Sequence, residues 1–200
     1  MSYEDVNQNR RRFLVAATSV VGGAGVAAVA YPYLASLSPS ARAQAAGAPV
    51  EVDVSGIEPG QLVQVEWRGK PVWVTYRTEE MLELLPKNRE RLVDPDSEVA
   101  SQQPDYCANP TRSRRPELSV LIGICTHLGC TPSYRPEVAP EDLGETWNGG
   151  YFCACHGSKF DLAGRVWRNM PAPTNLVIPR HMYKSDNLLV IGEDEEGVAA

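Results

Sequence analysis

Two short boxes constrain this chain more than anything else in it. The first is Cys125-Thr126-His127-Leu128-Gly129-Cys130 and the second is Cys153-Ala154-Cys155-His156-Gly157-Ser158. Of five cysteines and three histidines in 200 residues, four cysteines and two histidines fall within these boxes. Scatter would not concentrate them so. Each box sets thiol and imidazole a few residues apart, so two such loops can meet around one metal centre. Structural zinc is the plainest reading of mixed Cys and His ligands. It has no special use for the second cysteine that each box carries.

The first forty residues are a targeting and membrane element. Residues 13–41 carry no charged side chain, and 13–37 is a run of 25 small, aliphatic and aromatic residues. A bilayer core takes roughly 20 such residues as a helix. Gly22, Gly23, Gly25 and Pro32 suit a membrane helix better than a soluble one. Arg10, Arg11 and Arg12 precede the run, which holds the N-terminus in the cytoplasm, and Arg10-Arg11-Arg12-Phe13-Leu14 resembles a twin-arginine export signal. That places 1–12 in the cytoplasm, a single-pass anchor at 13–37 and a small, Ala-rich hinge linker at 38–49. Cleavage at Ala41-Arg42-Ala43 is the alternative to a retained anchor.

Beyond residue 50 the pattern is strands and loops. Residues 50–54 alternate, and 62–67 and 72–76 flank Arg68-Gly69-Lys70-Pro71, the mark of a hairpin. Thr78 is placed to cap a short helix that Pro86 limits. Residues 87–117 read as a long polar insertion, 119–124 as a buried strand, and 151–152, 176–178 and 188–191 as shorter strands. The expected class is mainly β with one helix in the insertion. The net charge of −6 argues against a nucleic-acid partner. Glu193–Glu196 read as a solvated tail, Arg112, Arg114 and Arg115 as a solvated loop face, His181 as a surface or packing histidine, and Cys107 as an unpaired thiol.

At the boxes the chain resembles the Rieske subunit of the cytochrome bc complex, ubiquinol–cytochrome c reductase. The resemblance extends to the anchor, to Glu66-Trp67-Arg68-Gly69-Lys70-Pro71, and to Pro171-Ala172-Pro173-Thr174-Asn175-Leu176, which matches the proline loop that covers the cluster in that family. It implies an antiparallel β-sandwich head over 50–200 with a cluster-binding subdomain at about 120–176. It implies one 2Fe-2S cluster, with Cys125 and Cys153 on one iron and His127 and His156 on the other. Imidazoles carry less charge than thiolates, so the histidine-bound iron should take the electron, and reduction can be coupled to proton uptake on His127 or His156.

The same resemblance implies a Cys130–Cys155 disulfide in an oxidising compartment, two free buried thiols being the alternative. It implies a Ser158 hydrogen bond toward the cluster and a docking surface of Leu128, Pro171, Ala172 and Pro173. Quinol would meet His156. The partners implied are ubiquinol, a cytochrome b subunit, a cytochrome c-type haem subunit and the lipid bilayer, within a dimeric complex of a bacterial inner membrane whose Rieske head lies in the periplasm. The chain would then be a subunit of a quinol–cytochrome c reductase, contributing to proton translocation, and not a complete enzyme alone. Phe160 stands where high-potential members often have tyrosine, so a lower potential is expected. Met170 replaces a common glycine. A soluble Rieske ferredoxin or oxygenase component would lack the anchor and the extra cysteine pair. The small subunit of a periplasmic arsenite oxidase-like enzyme is the remaining alternative.

Overall fold

Charge stops at Arg12 and does not return until Arg42, and most of that stretch is one helix. In this computed structural model, which describes residues 7–40, 47–195 and 197–198, α1 spans Gln8–Ser36. It begins five residues before the uncharged run because Asn7 caps it, its side-chain oxygen accepting from the N–H groups of Asn9 and Arg10. At roughly 1.5 Å per residue, 29 residues reach beyond the ~30 Å of a bilayer core. None of its residues is buried against protein. The Thr18 and Ser36 hydroxyls donate to the carbonyls of Leu14 and Tyr33, so these polar groups need no water. Half of the hinge expected at 38–49, and all of the alternative cleavage site at 41–43, fall at 41–46, outside the described residues.

The chain divides at Ala46 into two units, the second of which is the β head. Its strands are β1 (Val50–Asp53), β2 (Leu62–Trp67), β3 (Lys70–Tyr76), β4 (Leu118–Ile122), β5 (Ser133–Val138), β6 (Asn148–Cys153), β7 (Ser158–Asp161), β8 (His181–Tyr183), β9 (Leu188–Ile191), β10 (Glu193–Asp194) and β11 (Gly197–Val198). They form antiparallel sheets in the orders β1-β9-β8, β2-β3-β4 and β5-β6-β7, with β10-β11 as a small ribbon. The β2–β3 turn puts Arg68 and Gly69 both at positive φ, the geometry whose twist suits a two-residue hairpin.

The central sheet serves two cores at once, and the two-residue period of a strand is the reason. Val72, Val74, Val120 and Ile122 face the first sheet, packing with Val52, Trp67, Leu189 and Ile191. Trp73 and Leu121, a cross-strand pair, face the other way, onto Tyr151, Phe160, Cys125 and Cys153. Trp73 stacks on Tyr151 with centroids 5.0 Å apart, and Thr75 Oγ1 lies 3.0 Å from the Tyr151 hydroxyl. The sheet carrying the second box is thus held to the sandwich by a dry aromatic contact.

Several expectations change. The capped helix is present as α2 (Glu79–Leu84), with Thr78 accepting from the Met81 N–H. Residues 176–178 are not a strand: Leu176, Val177 and Ile178 bond singly to Gly164, Ile122 and Gln102, so no ladder forms. The tail is not simply solvated, because Asp194 is buried in β10. Arg112 is not on a solvated face; it is fully buried. Arg114 pairs with Glu195 and lies over Tyr106, and Arg115 lies over Tyr183. His181 is a packing histidine: its Nδ1 sits 2.9 Å from the Pro179 carbonyl, and burial pulls its imidazole down to about 4.

Leu189 is fully buried in the sandwich core, whereas Leu128 is 72 % exposed. Leu189→Ala should therefore lower the unfolding free energy by about 2–5 kcal/mol in a denaturant titration, and Leu128→Ala should leave it within about 0.5 kcal/mol.

Candidate metal centre

The two boxes fold into loops of the same design. In the first, the Gly129 N–H donates to the Cys125 carbonyl at 3.1 Å; in the second, the Gly157 N–H donates to the Cys153 carbonyl at 2.9 Å. Each tight loop closes on a glycine at positive φ, 84° and 77°. A Cβ there would meet nothing within 4 Å, so it is the backbone conformation and not space that requires glycine. The first loop follows β4 and closes further through the Cys125 N–H donating to the Cys130 carbonyl. The second joins β6 to β7, with Cys153 opposite Ser158. Gly150, one turn earlier in β6, lets the backbone of Phe160 and Asp161 approach where any side chain would clash.

Convergence of the loops sorts the predicted residues by burial. Cys125 and Cys153 are free thiols at 2 % and 1 % exposure. The His127 and His156 rings meet edge to face, centroids 4.7 Å apart, with His156 exposed and His127 half-buried. Burial pushes the Cys125 thiol up, while hydrogen bonds from the His127 backbone and the Ser158 side chain pull the other way. His127 Nδ1 is buried without a hydrogen-bond partner among the described residues, as a ligand nitrogen would be. Cys130 and Cys155 form a disulfide across the two loops, spanning 25 residues. The sulfurs of Cys130, Cys153 and Cys155 lie within 4.8 Å of one another, but a disulfide offers no thiolate, so Cys153 is the ligand-competent member. Two buried thiols and two imidazoles whose rings meet, carried on loops tied by a disulfide, supply the donor types that a thiolate- and imidazole-ligated cluster takes. Cys107 is buried in the second core, away from this set of donors in sequence, and burial pushes its thiol up to about 11.

Residues 171–176 are stitched to both boxes. The Ala172 N–H donates to Ser158 Oγ at 3.1 Å, and Thr126 Oγ1 donates to the Thr174 carbonyl at 2.7 Å. Pro171 and Pro173 are exposed while Ala172 is buried. Ala172 therefore anchors the loop from inside, and of the four residues expected at a docking surface only Leu128, Pro171 and Pro173 are exposed. Met170 packs between the core containing Phe160 and the one containing Trp147 and Trp167. Phe160 is fully buried opposite Tyr151. Sequence reading missed Thr126, and it missed the turn after β7, where Asp161 accepts from the Ala163 and Arg165 N–H groups and pairs with the Arg165 guanidinium. The signal for that turn was Asp-Leu-Ala-Gly-Arg, an Asx-type start followed by a glycine.

Comparison with known proteins gives the following. Residues 48–180 match the family profile described as Rieske [2Fe-2S] domain, and residues 1–40 match that described as Ubiquitinol-cytochrome C reductase Fe-S subunit TAT signal. The chain is similar to the ubiquinol-cytochrome c reductase iron-sulfur subunit of Allochromatium vinosum, at 63% identity over 97% of this chain and 93% of that one. It is similar to the protein of the same name from Blastochloris viridis, at 39% identity over 96% and 97%. Among solved structures, a chain of a hyperthermophilic respiratory Complex III aligns with TM-score 0.49 and 26% identity, covering 88% of this chain and 98% of that chain.

The disulfide closes a loop of 25 residues, which in the chain-entropy account is worth about 3.5 kcal/mol. Replacing Cys130 and Cys155 together by serine should lower the unfolding free energy by about that amount in a denaturant titration, and added reductant should then have no further effect.

Proposed function

Because the chain belongs to the Rieske [2Fe-2S] family, and specifically to the iron–sulfur subunits of ubiquinol–cytochrome c reductase, we propose that its box residues hold the cluster and that His156 is where quinol meets it. The protein is an electron-transfer subunit whose cofactor is one Rieske [2Fe-2S] cluster, and it is membrane-anchored through α1. The arsenite oxidase-like alternative is not favoured, because the relatives are named for the quinol reductase. Its partners in that complex are the cytochrome b and cytochrome c1 subunits. Ubiquinol as the donor, a dimeric assembly, lipid contact along α1, and an inner-membrane setting with the N-terminus cytoplasmic and the head periplasmic belong to the same reading.

When bound, the cluster supplies a one-electron acceptor. Cys125 and Cys153 are its thiolate ligands, buried where water does not reach, and His127 and His156 are its imidazole ligands. The remaining chemistry is the chain's own. The observation that carries it is the exposed ring of His156, set edge to face against His127 and close in sequence to the buried thiols. Its imidazole can accept a hydrogen bond from a quinol hydroxyl and take that proton. Leu128, next in the chain to His127, offers 72 % of its surface as an apolar contact for a quinol ring or a partner subunit. Pro171 and Pro173 extend that contact with little entropy to lose on docking. Ser158 orients the second loop: it is fully buried, accepts from the Ala172 N–H and pulls against the rise that burial imposes on the Cys125 thiol. The small side chains of 38–49 suit a linker on which the head moves between its donor and its acceptor subunit.

The test is purification of the complex from membranes, followed by iron and acid-labile sulfide analysis and a redox titration monitored by EPR. A rhombic signal on reduction should be present in the native protein and absent when His127 and His156 are both replaced. A normal centre after that double replacement would sink the ligand assignment. In the same titration Phe160→Tyr should raise the midpoint potential. One added hydrogen bond to a ligand sulfur favours the reduced form by about 1 kcal/mol, or roughly 40 mV for one electron.

A further inference from the structure

The polar insertion at 87–117 sends one side chain into the region that roots the loop over the boxes. Arg112 is 0% exposed and sits at φ 48°, a left-handed conformation that a non-glycine residue adopts at a cost. Its Nη1 donates to the Ala163 carbonyl at 2.9 Å, and its Nη2 donates to the Leu176 carbonyl and to Gln103 Oε1, both at 3.0 Å. These acceptors are amide oxygens and not carboxylates. Gln103 is itself held, its Nε2 donating to the carbonyls of Ser97 and Val99.

The three segments so joined are distinct. Ala163 belongs to the turn that follows the second box and β7. Leu176 ends the loop 171–176, and its N–H returns to the Gly164 carbonyl at 2.8 Å. Gln103 belongs to the insertion. The loop's start and middle are fixed by Ser158 and Thr126; its end is fixed by the guanidinium together with the Leu176 N–H and the Asn175 side chain, which accepts from the Val166 N–H and donates to the Asp94 carbonyl. An arginine suits this place because its planar fork offers donors in several fixed directions, where a lysine offers one compact charge.

We propose that Arg112 is a positioning residue for quinol oxidation: it fixes the C-terminal root of the loop 171–176 and so sets how that loop covers the candidate ligands. The proposal rests on the assignment of the boxes as the cluster site. Arg112 touches neither the boxes nor the surface where quinol would dock; it acts through the carbonyls of Ala163 and Leu176. The insertion thereby acquires a task in the site that its polar composition does not suggest.

The test compares wild type, Arg112→Gln and Arg112→Lys in the complex purified from membranes. Hydrogen exchange read by mass spectrometry should be at least tenfold faster for the amides of 172–176 in Arg112→Gln, with β1 and β9 unchanged. The KM for quinol should rise severalfold while kcat falls less, and Arg112→Lys should lie between. Unchanged exchange at 172–176, or equal acceleration in β1 and β9, would overturn the proposal, the second by showing a general loss of stability. If Arg112→Gln does not assemble, Gln103→Ala removes one acceptor and should produce the same segment-limited acceleration, several-fold and not tenfold; its absence would overturn the proposal equally. Iron and acid-labile sulfide are measured on the wild type alongside. Their absence would remove the cluster assignment whatever the exchange shows, whereas a loaded wild type with no change in the variants would remove only the role of Arg112.

Discussion

Two box thiols are dry while the rings of His127 and His156 meet with His156 exposed, and most of the head serves to hold both arrangements in one place. Thiolate ligands in a low-dielectric setting need partners for their charge, and Cys125 finds backbone and hydroxyl hydrogen bonds. On the proposed reading the imidazole edge stays open because the donor arrives from outside. The solution is a pair of loops at one end of a small sheet, their cysteines directed into the core with Trp73, Leu121 and Phe160 and His156 left exposed.

The central sheet makes this arrangement rigid. A strand has two faces, and β3 and β4 use both, one for the sandwich and one for the box-bearing sheet. Buried arginines complete the support. Arg77 reaches the carbonyls of Pro116 and Thr111 and the Ser113 hydroxyl, Arg112 reaches Ala163 and Leu176, and Arg165 pairs with Asp161. Desolvation pulls Arg77 and Arg112 down to about 10, so both remain charged at neutral pH. Their charge is met by carbonyl oxygens, which arise from loops folding around them.

That is also why the arginines were illegible in the sequence. Arg112, Arg114 and Arg115 stand in a run that looks solvated, and nothing local distinguishes the one that ends up buried. Gln103 is near in the chain, but the two carbonyls that draw it into the head lie 51 and 64 residues away. The boxes were legible because each is contiguous and its residue types have few other uses. The hairpin was legible from Arg68-Gly69, and the α2 cap from Thr78. The strands β5, β7 and β8 were not, since Pro136 interrupts the first and the others are four and three residues long, too short to show a period. Residues 176–178 look like a strand for the opposite reason: they are apolar because the core needs them, while their backbone bonds go to three different segments.

The bond between Cys130 and Cys155 has a consequence for the order in which the head is made. The twin-arginine signal matched at 1–40 belongs to a route taken by finished proteins, and the compartment where finishing occurs keeps thiols reduced. On the export reading proposed above, the loops take up their shape and accept 171–176 while these two sulfurs are still separate. On that reading the covalent tie comes last, as a rivet set in a joint already fitted.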